Sequence, residues 1–161
     1  MSNLSFFRAC FQNELQATLA LIESLPAGKL EYRPHPVNRS ATEIVEHILG
    51  HVKDLKTILL QTTCNETLVY PFESPADAAG KYRLHAEELM DLLGDSNDEK
   101  WEKEQVELLI NSKSFITIPR MNMMWFFFFD IIHHRGQLSS YIRPMGGKNP
   151  AVYGYSADTV I

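Results

Sequence analysis

Asp130 and His134 stand four residues apart, as do His47 and His51. On a helix that step brings two side chains one above the other on the same face. Two imidazoles and one carboxylate, drawn from His47, Asp130 and His134, form a donor set for a divalent metal ion, with at least one position left for water or substrate. An ion so held lowers the pKa of a bound water or thiol, or polarises a carbonyl. An Asp/His pair at this spacing occurs by chance on many helices; the setting gives it weight. It follows directly on Met123, Met124, Trp125 and Phe126 to Phe129, and polar groups beside a core need partners or a ligand. No serine or cysteine nucleophile motif accompanies it, so the metal would have to do the activating.

Periodicity says what carries these residues. Phe7, Phe11, Leu15, Leu19, Ile22 and Leu25 recur at three- and four-residue steps and predict a first helix from Leu4 to Leu25, stopped by Pro26 and Gly28. Pro34 and Pro36 stiffen a long crossover. Ser40 followed by Glu43 is a capping-box pattern, and Ile44, Ile48, Val52, Leu55 and Leu59 give the second helix its apolar stripe. His47 and His51 neighbour that stripe. Thr62 to Tyr70 reads as a loop. A third helix starts at Ser74 or Pro75 and runs to Leu93. Asp95 to Pro119 reads as two short strands or an extended excursion, with Trp101 to Val106 as one and Ser114 to Ile118 as the other. The fourth helix is Met121 to about Arg143, on a stripe from Phe126 through Asp130 and His134 to Tyr141. The tail, Lys148 to Ile161, suits an ordered loop that packs its tyrosines back on the body.

These elements make an all-α fold, a four-helix bundle with a long crossover and a short β-hairpin or extended excursion between helices 3 and 4. A chain of 161 residues is one domain, 1–161, long enough to bury roughly 70% of its unfolded surface. A net charge of −5 without a basic stripe argues against nucleic acid. The apolar run ending at Phe129 is far short of the ~20 residues that span a bilayer. With no leader-like N-terminus, the expectation is a cytoplasmic protein without a membrane partner. Cys10 and Cys64 have no spacing motif and read as small core thiols.

His134-Arg135-Gly136-Gln137-Leu138, followed by Tyr141-Ile142-Arg143, Gly146, Pro150 and Tyr153-Gly154, resembles the DinB-like metal-binding four-helix-bundle proteins. Pro34-His35-Pro36 and Ser40 leading into His47 extend the resemblance over nearly the whole chain. That family includes thiol-dependent transferases and isomerases, and many members without assigned activity. The resemblance implies a metal held by three histidines, one on the second helix, matching His47, and two on the last helix, the second matching His134. This chain departs at the first of that pair, where it has Asp130. A carboxylate still ligates zinc, nickel, iron or manganese, and shifts preference toward harder metals.

Behind the ligands, His51, His133, Arg135 and Gln137 are candidate supporting residues, with His51 also an alternate ligand. His133 lies about 100° round the helix from His134, toward a neighbouring helix or solvent. The resemblance implies that Arg135 holds structure through a carboxylate or main-chain oxygens. His85 reads as an ordinary hydrogen-bonded histidine. Two functional readings stand. One, whose thiol cofactor and small electrophilic substrate are what the resemblance implies, is a metal-dependent thiol transferase or hydrolase. The other is a non-catalytic binding or dimerisation module with an empty or degenerate site. Four consecutive aromatics make a helix greasy on every side, which predicts a homodimer.

Overall fold

Ser2 opens the first helix: its Oγ accepts the Ser5 backbone N–H, and α1 runs Asn3–Glu23 with Phe7, Phe11, Leu19 and Ile22 buried. The structure, a computed structural model, describes residues 1–159. The crossover after α1 includes a single 3-10 turn, Ala27–Lys29. The capping box then forms as the sequence predicts. Ser40 Oγ accepts the Glu43 N–H at 3.2 Å, and Glu43 Oε2 accepts the Ser40 N–H at 2.6 Å. The second helix, α2, is Ala41–Leu60, and its apolar stripe is buried. Ser74 caps α3, Pro75–Gly94, with proline at the first position. The last helix, α5, is Arg120–Ile142.

Three expectations need correcting. The segment read as a loop contains β1, Thr63–Asn65, paired in parallel with Glu107 to Leu109. Asp98–Lys103 is a short helix, α4, rather than a strand, because Asn97 Oδ1 accepts the N–H groups of Glu99 and Lys100 and caps a turn. Trp101 is thereby driven into the core, where its indole N–H reaches Asn3 Oδ1 at 3.0 Å. Only then comes the hairpin: β2, Gln105–Ile110, and β3, Lys113–Pro119, antiparallel to it. Its turn residues, Asn111 and Ser112, both have positive φ, the geometry of a tight two-residue hairpin turn. On β3, Phe115 and Ile116 are largely exposed, which is why alternation along it is weak. The fold is therefore mostly helical with a small three-stranded sheet, not all-α.

Each long helix packs on two others, α1 on α3 and α5, and α2 on α3 and α5. In the aromatic run, Phe127 and Phe128 are buried while Phe126 and Phe129 are exposed, as a step of about 100° per residue requires. Phe7 of α1 meets Trp125 and Phe128 at ring separations of 5.0 and 5.4 Å. Arg120, buried at the start of α5, closes the C-terminal end of α2. Its Nε donates to Ile58 O at 2.8 Å and its Nη2 to Gln61 O at 3.0 Å, with Glu104 as its ion-pair partner. In the tail, Tyr153 hydrogen-bonds back to Glu14, but Tyr155 is 86% exposed and does not pack on the body. Val160 and Ile161, also part of the expected tail, lie outside the described residues. Among the described residues no helix is long and apolar enough to cross a membrane.

Candidate metal centre

The packing of α2 on α5 brings both four-residue pairs to one place. Asp130 Oδ2 lies 3.0 Å from His47 Nε2, 3.3 Å from His51 Nδ1 and 3.3 Å from His134 Nε2. One carboxylate oxygen thus faces three imidazole nitrogens. The rings of His47 and His51 are 4.1 Å apart, those of His47 and His134 4.5 Å, and Phe127 covers His51 at 4.5 Å. Phe127, rather than the exposed Phe126, forms the apolar wall. The three histidines are buried, whereas the Asp130 side chain is 29% exposed, so solvent reaches the cluster over the carboxylate.

The outer ring nitrogens are engaged. His51 Nε2 donates to Glu66 Oε1 at 3.1 Å, and His134 Nδ1 donates to Gln137 Oε1 at 2.8 Å. Gln137 in turn donates from its amide to His133 Nε2 at 3.1 Å. In the neutral rings, then, His51 Nδ1 and His134 Nε2 are lone pairs facing a carboxylate. Burial works to raise the Asp130 pKa, but when the facing nitrogens of His134 and His47 carry protons, their hydrogen bonds outweigh it and hold the group well below the usual carboxylate range. Burial, partly opposed by the Asp130 hydrogen bond, lowers the His47 pKa and favours its neutral, ligating form. The hydrogen bond from His51 lowers the Glu66 pKa against the opposing effect of burial.

Lone pairs aimed at an anion call for positive charge between them. Arg39, with Nη1 3.5 Å from His134 Nε2, supplies some of it from the rim. A metal ion would supply the rest. Separations of 3.0 and 3.3 Å between donors sit close to the edge of about 3.3 Å expected for ligands at about 2.0–2.1 Å from a tetrahedral ion. Ligand atoms of His47, Asp130 and His134 all lie within 4.8 Å of one another, and so do those of His47, His51 and Glu66. Histidines that donate their other N–H to a carboxylate or amide oxygen are the usual support of a metal site. The residues present fit such an ion.

Of the supporting residues named from the sequence, His51 and Gln137 join the cluster directly. His133 is exposed and touches it only through Gln137. Arg135 points away, toward α1 and the tail. Its Nη1 lies 2.6 Å from Glu14 Oε2, 3.3 Å from Thr18 Oγ1 and 3.4 Å from Glu14 O, and its Nη2 donates to the Tyr153 hydroxyl. His85, as read, is hydrogen-bonded, to the Tyr70 hydroxyl at 2.9 Å.

Sequence reasoning missed Glu66, Asp54 and Arg39. Glu66 reaches His51 because its segment is clamped to α2. Asp54, buried, accepts the Thr67 N–H and hydroxyl at 2.7 Å each, and the Glu66 N–H donates to Leu109 O at 2.8 Å. Gly50 allows the close approach: a Cβ there would meet Thr67 O at 2.2 Å. The only sequence signal was a glycine inside a strong helix. Arg39 had none beyond its place before the capping serine.

The chain matches the profile of the DinB family over residues 1–159. A DinB-like protein from Bacillus subtilis superposes with a TM-score of 0.69 at 19% identity, covering 93% of this chain and 99% of that one. A DinB-like protein from Bacillus cereus gives a TM-score of 0.72 at 19% identity over 91% and 95% of the two chains. Likeness at that identity is of fold. No curated protein matches this chain.

Proposed function

This chain belongs to the DinB family, and on that footing we propose that it binds a divalent metal ion through His47, Asp130 and His134 and serves as a metal-dependent thiol transferase or hydrolase on a small electrophile. The supporting observation is the convergence of imidazole nitrogens on one ionised carboxylate oxygen, with their other nitrogens held by Glu66 and Gln137. A divalent ion bound there supplies acidity to a thiol or water and polarises a carbonyl. Asp130 contributes the negative charge that offsets the ion's. Gln137 fixes the tautomer and plane of His134. Arg39, exposed at the rim, is placed to hold an anionic group of a substrate. Burial pushes the Cys64 thiol up to about 12, which disfavours it as a nucleophile. Zinc, nickel, iron and manganese all suit this donor set.

A rival reading draws on the hydrogen bond between His47 and Asp130 at 3.0 Å: protons alone could close the network, leaving a binding or dimerising module. Metal content of protein purified without a histidine tag separates the two. About one equivalent of ion per chain, with turnover on a panel of thiols and small electrophiles, is the expected result. Metal-free protein that takes up none of the four metals on titration would sink the proposal. The homodimer reading is supported by exposed Phe6, Phe126 and Phe129, which leave an aromatic face on α1 and α5. Sedimentation should give twice the chain mass at micromolar concentration; a monomer there rejects the dimer.

A further inference from the structure

We infer that His51 is itself a metal ligand, through Nδ1, so that the ion is held by His47, His51, Asp130 and His134, with Glu66 as the residue that aims His51. The inference rests on the proposed metal-binding reading and adds a donor that the sequence pattern of the family does not assign. The third imidazole would come from α2, one turn after His47, instead of from the α5 position occupied by Asp130.

Three observations on His51 carry it. Its side chain is only 3% exposed, and its Nδ1 has no hydrogen-bond partner among the described residues. A buried nitrogen left unpaired is costly, so its retention calls for a ligand. Second, Nδ1 lies 3.3 Å from Asp130 Oδ2 without the alignment of a hydrogen bond, and the same oxygen lies 3.0 Å from His47 Nε2 and 3.3 Å from His134 Nε2. Third, Nε2 is committed to Glu66, which is buried enough to need a partner and is anchored by its own backbone to β2. The carboxylate therefore fixes the tautomer that leaves Nδ1 free, the role that carboxylates play behind ligating histidines. The ring has little room to turn away, because Phe127 covers one face and the His47 ring lies against it.

A fourth protein donor changes what the centre can do. Three protein donors would leave an ion a position for water or substrate, whereas a fourth would occupy it. Asp130, with its side chain 29% exposed, would be the solvent-facing member of the set.

The test uses the full chain loaded with zinc. X-ray absorption should count three imidazoles and about one ion per chain in the unmutated protein, a measurement that needs no variant to fold. His51→Ala should weaken zinc affinity more than 10-fold in competition with a chromophoric chelator, and Glu66→Gln about 10-fold, with circular dichroism unchanged. In cobalt-loaded protein, His51→Ala should also alter the visible absorption. Two imidazoles, or unchanged affinity and spectrum in His51→Ala, overturn the assignment while leaving the His47, Asp130 and His134 site intact. Two ions per chain, the second on His51 and Glu66, overturn it as well. Loss of all binding in the unmutated protein removes the underlying reading and this inference together.

Discussion

His134→Ala should lose zinc affinity by more than about 100-fold, because removing even the partner behind a ligand already costs about 10–100-fold. The substitution deletes one imidazole and leaves the Asp130 carboxylate with fewer donors to hold its charge. It also frees Gln137, which now orients that ring at 2.8 Å. His47→Ala should behave alike. Competition titration with a chelator, with circular dichroism to confirm the fold, gives the answer; affinity equal to that of the unmutated protein would place the ion elsewhere. Proton competition should follow the electrostatics. Since burial lowers the His47 pKa below its ordinary 6.5, its neutral form persists at pH 7, and uptake should weaken only in more acid solution.

Arg135→Ala should destabilise the protein by about 3–5 kcal/mol while leaving metal affinity within a few-fold. The guanidinium is 3% exposed and meets the Glu14 carboxylate, itself 18% exposed, at 2.6 Å. Removing one member of a buried ion pair strands the other, a cost well above the worth of a surface pair. The loss extends to Thr18 Oγ1, Glu14 O and the Tyr153 hydroxyl, which together join α1, α5 and the tail. Arg135→Lys should recover only part, because an ammonium cannot reproduce the planar fork. Thermal unfolding of the metal-free chain is the measurement, with a fall of roughly 6–20 °C expected for a domain of this size. A loss below about 1 kcal/mol would show that Glu14 finds solvent without strain.

Much of the scaffold was legible because local chemistry decides it. Ser40 and Glu43 mark a helix start through atoms three residues apart, and the stripe from Ile44 to Leu59 could be buried in no other secondary structure. The strand assignment for Trp101 failed because a capping asparagine outweighed a weak alternation. The segment Thr63–Asn65 reads as a loop because its pairing partner lies across the fold on β2, so no local pattern announces it.

The same division runs through the site. By itself the sequence determined the two four-residue pairs, because a helix fixes which neighbours share a face: His47 with His51, and Asp130 with His134. Which of them would meet was settled only by the packing of α2 on α5, since it depends on the rotation of each helix about its axis. Tertiary structure also brought Glu66 to His51, through the Asp54 clamp and the bare backbone of Gly50, and turned Arg135 away toward Glu14. A metal site needs several donors within a few ångströms at once, and that requirement is met by the relative placement of elements, which no single stretch of chain encodes.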